Sequence, residues 1–247
     1  MKLRTGKRQH PRAVLVYGPH GVGKTTFAAE SQNHVIMNFE DGLNNIDCRS
    51  TEKLRTWTDT CNVLQELVTD PPDLDWIVLD TLDWCEQIIH DEIAEAAGKE
   101  SIADIGYGNG FKLALAKWKY LIRGLDYLRE HRNCGILLLA HAVAKRYDSP
   151  DSDSYDRMRP ALHDSAANLF QEWCDEVLYA SYRVHTRKET QSFDRSRTLA
   201  IGTGERFLRT SESPAVLAKN RLGLDDEIPF EFEYYQAKIN EFFSENC

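Results

Sequence analysis

No stretch of this chain is apolar for long enough to cross a bilayer, which excludes a helical membrane span. The apolar run after the basic opening MKLRTGKRQHPR is five residues, too short for the apolar region of a signal peptide. A soluble, cytoplasmic protein with no membrane partner is therefore expected. No C-x-x-C pair occurs. Cys48, Cys61, Cys85, Cys134, Cys174 and Cys247 are scattered, so neither a disulfide framework nor a zinc ribbon has spacing to support it, and reduced thiols are expected. Positive charge is not in surplus: 39 acidic side chains against 30 Lys and Arg give a net charge of −9. That excludes a surface coated in positive charge but leaves room for a local basic groove. Internal repeats and linkers are also missing. The 247 residues are expected to form one domain, with a basic N-terminal arm at 1–12 and an acidic, aromatic C-terminal tail at 225–247.

What is there begins with a short apolar run at 13–17 that ends in Gly18. The loop after it fits Gly-x-x-x-x-Gly-Lys-Ser/Thr at every fixed position: Gly18, Pro19, His20, Gly21, Val22, Gly23, Lys24 and Thr25, followed by Thr26, with a helix-forming run from Thr25 to Ser31. Strand, loop and helix in that order are the context this motif needs. Backbone N–H groups of such a loop converge on an anion. Lys24 can reach the β- and γ-phosphates, and the Thr25 hydroxyl can ligate Mg2+. The expected ligands are ATP and Mg2+.

Three more buried-type strands follow, at 34–39, 76–81 and 135–140, each a run of apolar residues. Each ends in a polar group, where ligands bind in open α/β sheets. The first leads into Glu40-Asp41-Gly42, and a carboxylate there either activates water or caps a turn. The second, WIVLD, ends in Asp80, the pattern in which a carboxylate holds Mg2+ beside Thr25. Asp83 is expected to cap a helix over 84–97. The third ends in His141, which either senses the γ-phosphate or is merely hydrogen-bonded. Helical spacing also marks 51–69, 111–130 and 163–173.

Between these lie two candidate binding loops. Residues 98–110 carry four glycines and Tyr107. Residues 142–160 read as a loop rich in Ser, Asp and Pro, with two tyrosines and basic pairs at each end. Basic and aromatic residues together suit single-stranded nucleic acid, while the four aspartates inside the second loop oppose it. Basic residues cluster at Lys2, Arg4, Lys7, Arg8 and Arg12; at Lys145, Arg146, Arg157 and Arg159; and at Arg183, Arg187, Lys188, Arg195 and Arg197. Strands are expected at 176–185, 198–202, 206–210 and 215–218, the first two joined as a hairpin.

The ensemble GPHGVGKT at 18–25, NFEDGL at 38–43, WIVLD at 76–80, LLLAHA at 137–142 and LAKNRLGL at 217–224 resembles the RecA-like ATPase core. It is most similar to the minimal RecA-like, AAA-domain ATPases of bacteriophages that include single-strand annealing proteins. The resemblance implies a three-layer α/β fold whose mainly parallel sheet is extended by C-terminal antiparallel strands. It implies Glu40 as the catalytic glutamate and His141 in the place of the γ-phosphate sensor, where RecA has glutamine. Lys219 and Arg221 resemble paired cations inserted into a neighbouring subunit's site; a surface turn is the other reading. Implied partners are single-stranded DNA, further copies of the chain with nucleotide between them, and a phage or host single-strand-binding protein. Localisation would then be the host cytoplasm. A ring-forming replication motor or helicase loader shares these motifs. A small-molecule kinase would need an Arg-rich lid, and a nucleotide-gated interaction module would turn over little ATP.

Overall fold

The computed structural model describes residues 10–70, 72–148, 153–192 and 195–244, with backbone alone for 184–203. Strand β1 (Ala13–Gly18) is buried along its whole length and is the centre of the sheet. It pairs in parallel with β4 (Gly135–Tyr147) on one side and β6 (Glu176–Ser192) on the other. Beyond β4 come β3 (Trp76–Asp80) and β2 (His34–Asn38), also parallel. Beyond β6 come β7 (Arg195–Arg209) and β8 (Glu227–Pro229), both antiparallel. The order is β2-β3-β4-β1-β6-β7-β8. A mainly parallel sheet with an antiparallel extension is thus present as expected.

Alternate residues of the unbroken apolar strands feed two cores, because successive side chains point to opposite faces. Leu15, Tyr17, Leu79 and Leu138 pack under α2 (Trp57–Thr69), α3 (Leu82–Ala96), α4 (Asn109–Arg132) and α5 (Asp164–Trp173). Val14, Val16, Val78 and Leu139 pack under α1 (Lys24–Ala29) and α6 (Phe232–Ser244). Three layers result, and every parallel strand delivers its C-terminal end to the same edge. Among the described residues no helix is long and apolar enough to cross a membrane.

Several local expectations are corrected. Residues 142–160 are not a free loop. β4 runs on to Tyr147 and pairs antiparallel with β5 (Tyr155–Pro160), from Ala142↔Pro160 to Tyr147↔Tyr155. The Ser/Asp/Pro-rich tip hid the strands on either side; residues 149–152 of it lie outside the described residues. The expected strands at 198–202 and 206–210 are one strand, β7, and β6 extends to meet it, so the expected connection is itself paired. Residues 215–218 make only isolated bridges at Val216. Part of the loop at 98–110 is wound into 3-10 turns at Ile102–Asp104 and Gly106–Gly108, the first closed by a Ser101–Asp104 capping box. The C-terminal tail is α6, which buries Phe232, Tyr235, Ile239 and Phe243. Of the basic arm, residues 1–9 lie outside the described residues, as do Cys247 and the side chains of Arg187, Lys188, Arg195 and Arg197.

Candidate nucleotide site

β1 delivers the chain to the sheet edge at Gly18, and the loop turns back on itself into α1. The turn needs backbone that L side chains resist. Gly21 lies at φ +73° and Gly23 at φ +101°, in the left-handed region where glycine has no Cβ to clash. Lys24 is buried, and its ammonium donates to the carbonyls of Gly18 and Pro19 at 3.1 Å each. Burial lowers its pKa, while the charges of Asp80, Glu40 and Asp83 oppose that. A partly desolvated cation is strongly attracted to an anion, while the carboxylates nearby repel one unless a cation offsets them.

Thr25 donates its hydroxyl to Asp80 Oδ2 at 2.7 Å, joining the loop to the end of β3. Burial pushes the Asp80 carboxyl up to about 6, against the pull of the Thr25 hydroxyl. Its second oxygen, Oδ1, is buried without a hydrogen-bond partner among the described residues. A buried carboxylate oxygen with no donor, beside a hydroxyl oxygen, is the hard-oxygen donor set that Mg2+ takes. The residues therefore fit a magnesium nucleoside triphosphate. Thr25 and Asp80 would hold the cation, and Lys24 with the amides of 20–25 would hold the phosphates. Glu40 stands at the exit of β2, and the Thr81 hydroxyl reaches its Oε2 at 3.5 Å.

Strand β4 lies between β1 and β3, so the last residue of its parallel pairing with β1 falls between the phosphate loop and Asp80. That residue is His141. Its ring stacks on His20 of the loop, centroids 3.6 Å apart and planes 21° from parallel. Asp83 holds it twice: Oδ1 accepts from the His141 backbone N–H at 2.9 Å, and Oδ2 lies 2.7 Å from ring Nδ1. Burial works to raise the Asp83 carboxyl, but the two hydrogen bonds from His141 outweigh it and hold it below its ordinary value. The expectation that Asp83 caps α3 is therefore corrected. Thr81 occupies the N-cap without a side-chain bond, and Asp83 is the anchor of His141.

The structure thus brings Gly18 to Thr26, Glu40, Asp80 and His141 to one edge. It does not bring Lys219 and Arg221 there. Lys219 donates to the carbonyls of Gln171, Glu172 and Cys174, closing the C-terminus of α5, and Arg221 pairs with Asp175 at 3.3 Å. Asp175 also accepts from the backbone N–H of Ala13, which opens β1. The two cations sit toward the opposite end of β1 from Gly18.

Sequence reading missed three contributors. Asp83 reads in the sequence as a helix cap. Tyr182 and Arg206 donate to loop carbonyls Gly21 and Val22. No linear motif marks them, because only strand register brings them to the loop.

A family model described as an AAA domain matches residues 10–222. No curated protein matches the chain. With the phosphate loop, Asp80 and all the parallel strand pairings inside the matched span, the chain belongs to the AAA-domain family of P-loop ATPases, which bind and hydrolyse ATP.

Proposed function

We propose that the chain is a single-stranded-DNA-binding recombination ATPase of phage type, acting as an oligomer with nucleotide at the subunit interface. One observation carries the DNA part. β4 runs without interruption from His141, stacked on the phosphate loop, into a hairpin bearing Lys145, Arg146 and the half-exposed Tyr147. A rigid strand that begins at the nucleotide and ends in cations and a ring can couple the two sites. On the paired strand Arg157 lies over the Tyr147 ring at 5.5 Å, and Tyr155 sits 5.4 Å from it.

Each of Lys145, Arg146, Arg157 and Arg159 has a carboxylate partner, in Asp164, Asp148, Glu212 and Asp164 respectively. The Lys145 and Arg146 pairs are exposed and contribute only about 0–1 kcal/mol, so a phosphate backbone can displace their carboxylates, while Arg157 and Arg159 are largely covered.

In the reaction, Glu40 accepts a proton from the water that attacks the γ-phosphorus as the bond to the leaving ADP breaks. Lys24 and the loop amides stabilise charge on the transferred group. A bound Mg2+ supplies further charge neutralisation. Asp83 fixes the orientation of His141, which reports the nucleotide state along β4. In this reading Arg221, half exposed beside Asp175, is the cation that enters a neighbour's site. Lys219 supports that segment from beneath.

The test is the ATPase rate with and without single-stranded DNA across a salt series. Stimulation that fades as salt rises is expected. Absence of both stimulation and DNA retention at low salt refutes the DNA role while leaving the ATPase assignment intact.

A further inference from the structure

The phosphate loop is gripped from behind. Tyr182 Oη donates to the carbonyl of Gly21 at 2.9 Å, and Arg206 Nη1 donates to the carbonyl of Val22 at 3.2 Å. The two residues are far apart in sequence but directly opposite one another in the β6–β7 ladder. One cross-strand pair therefore holds two successive peptides of the loop.

Those peptides matter because each has two ends. In a trans peptide the C=O and the next N–H point in opposite directions. The Gly21 carbonyl shares its plane with the Val22 N–H, and the Val22 carbonyl shares its plane with the Gly23 N–H. In this motif the N–H ends face the phosphates. A donor on the carbonyl end fixes the plane and polarises it, so the N–H becomes a better donor.

The arrangement is built, not incidental contact. A Cβ on Gly23 would lie 2.3 Å from Arg206 Nη1, so the guanidinium occupies the space a side chain would need. Arg206 rests over the Phe230 ring at 5.7 Å, and Phe230 stacks on Phe27 of α1 at 4.8 Å. A Cβ on Gly18 would lie 2.5 Å from the Ala180 carbonyl, so β6 lies tight against the start of the loop too. Just past the pair the ladder slips register between Tyr182 and Val184, and Gly204 adopts φ +76°. The strands then continue to the Ser192↔Arg195 pair, about 33 Å further at about 3.3 Å per residue.

We propose that Tyr182 and Arg206 are positioning residues for the nucleotide. They hold Gly21–Gly23 in the phosphate-gripping conformation and make the β6–β7 arm a second lever on nucleotide affinity. By linkage, a force on the arm that shifts the pair changes affinity for nucleotide, and bound nucleotide tightens the pair. The proposal rests on the ATP site and not on the DNA reading.

The test uses the full chain with a fluorescent ATP analogue and Mg2+, read as equilibrium Kd, together with thermal melting of the nucleotide-free protein. Arg206→Met keeps the apolar stem over Phe230 and removes the donor; its Kd is expected to rise about tenfold. Arg206→Lys restores a donor and is expected to recover most of that loss. Tyr182→Phe keeps the ring and removes one hydroxyl; its Kd is expected to rise about threefold. Nucleotide-free melting temperatures are expected to stay within about 2 °C of the parent for Tyr182→Phe, the variant that keeps the test open if the Arg206 variants fold poorly. Parental Kd in both Arg206→Met and Tyr182→Phe overturns the proposal. A lowered melting temperature with unchanged Kd does so as well, because it marks the pair as packing only.

Discussion

Replacing Glu86 with Gln should make the stability of the nucleotide-free protein rise relative to the parent as pH increases. Glu86 and Asp83 are three residues apart on α3 and share a face. Asp83 holds His141 where β4 leaves the sheet. Glu86 Oε2 accepts from the His163 backbone N–H at 2.8 Å, just beyond the end of β5. One helical turn thus ties down both ends of the β4–β5 hairpin. The cost is a buried carboxyl, 7% exposed, whose Oε1 has no hydrogen-bond partner among the described residues. Burial pushes it from 4.5 up to about 7, against the pull of the His163 N–H. The folded state therefore holds this proton more tightly than the unfolded chain. Stability from this group is complete below about 4.5 and is lost as pH rises towards 7. Between about pH 5 and pH 8 the parent should lose about 2–3 kcal/mol that the Gln variant, which cannot ionise, does not lose. Gln keeps the acceptor for His163 but puts an NH2 group in place of the unpartnered oxygen, a pH-independent penalty of about 1–3 kcal/mol. The informative quantity is therefore the change with pH in the difference between the two proteins. Other titrating groups are common to both and cancel. Urea denaturation at the two pH values measures it. A difference that stays constant with pH, or that moves in the parent's favour as pH rises, refutes the reasoning.

Asp83→Asn removes the charge that orients His141. It should leave nucleotide Kd within about threefold while lowering kcat about tenfold or more, a split visible in steady-state kinetics; equal losses in both would place Asp83 in binding. Asp80→Asn should reduce ATP hydrolysis at least about 100-fold, and chelation of Mg2+ from the parent should do the same. Retention of the rate after chelation would count against metal ligation at Thr25 and Asp80. Trp118, fully buried and packed edge-on to Phe170 at 5.0 Å, should cost about 3–5 kcal/mol on truncation to Ala, read as a shift in the urea midpoint. A loss below about 1 kcal/mol would show that the α4–α5 packing relaxes to fill the space.

The nucleotide site was legible in the sequence where its chemistry is local. Gly18 to Thr26 is a contiguous motif whose glycines and lysine are needed at fixed spacing, so the string carries the geometry. Four of the five parallel strands, β1 to β4, announced themselves because burial on both faces demands unbroken apolar runs, which in β4 reach as far as His141. Once strands are parallel and start from one edge, the residues where their parallel pairing ends or just beyond it, Glu40, Asp80 and His141, must share the other. The hairpin after His141 was not legible, because its strands are half exposed and its tip has turn-like composition.

Tertiary structure decided everything that depends on register or on which element packs where. Asp83 reads as a helix cap in sequence, yet β4 passes close enough for His141 to claim both carboxylate oxygens. Tyr182 and Arg206 reach the loop only because the β6–β7 ladder sets them opposite each other. Lys219 looks like a free cation in the string, but the fold lays it on three carbonyls at the end of α5. A linear pattern fixes what a residue can donate or accept. Which partner lies within about 3 Å is set by packing between segments far apart in the chain, and no local propensity encodes that distance.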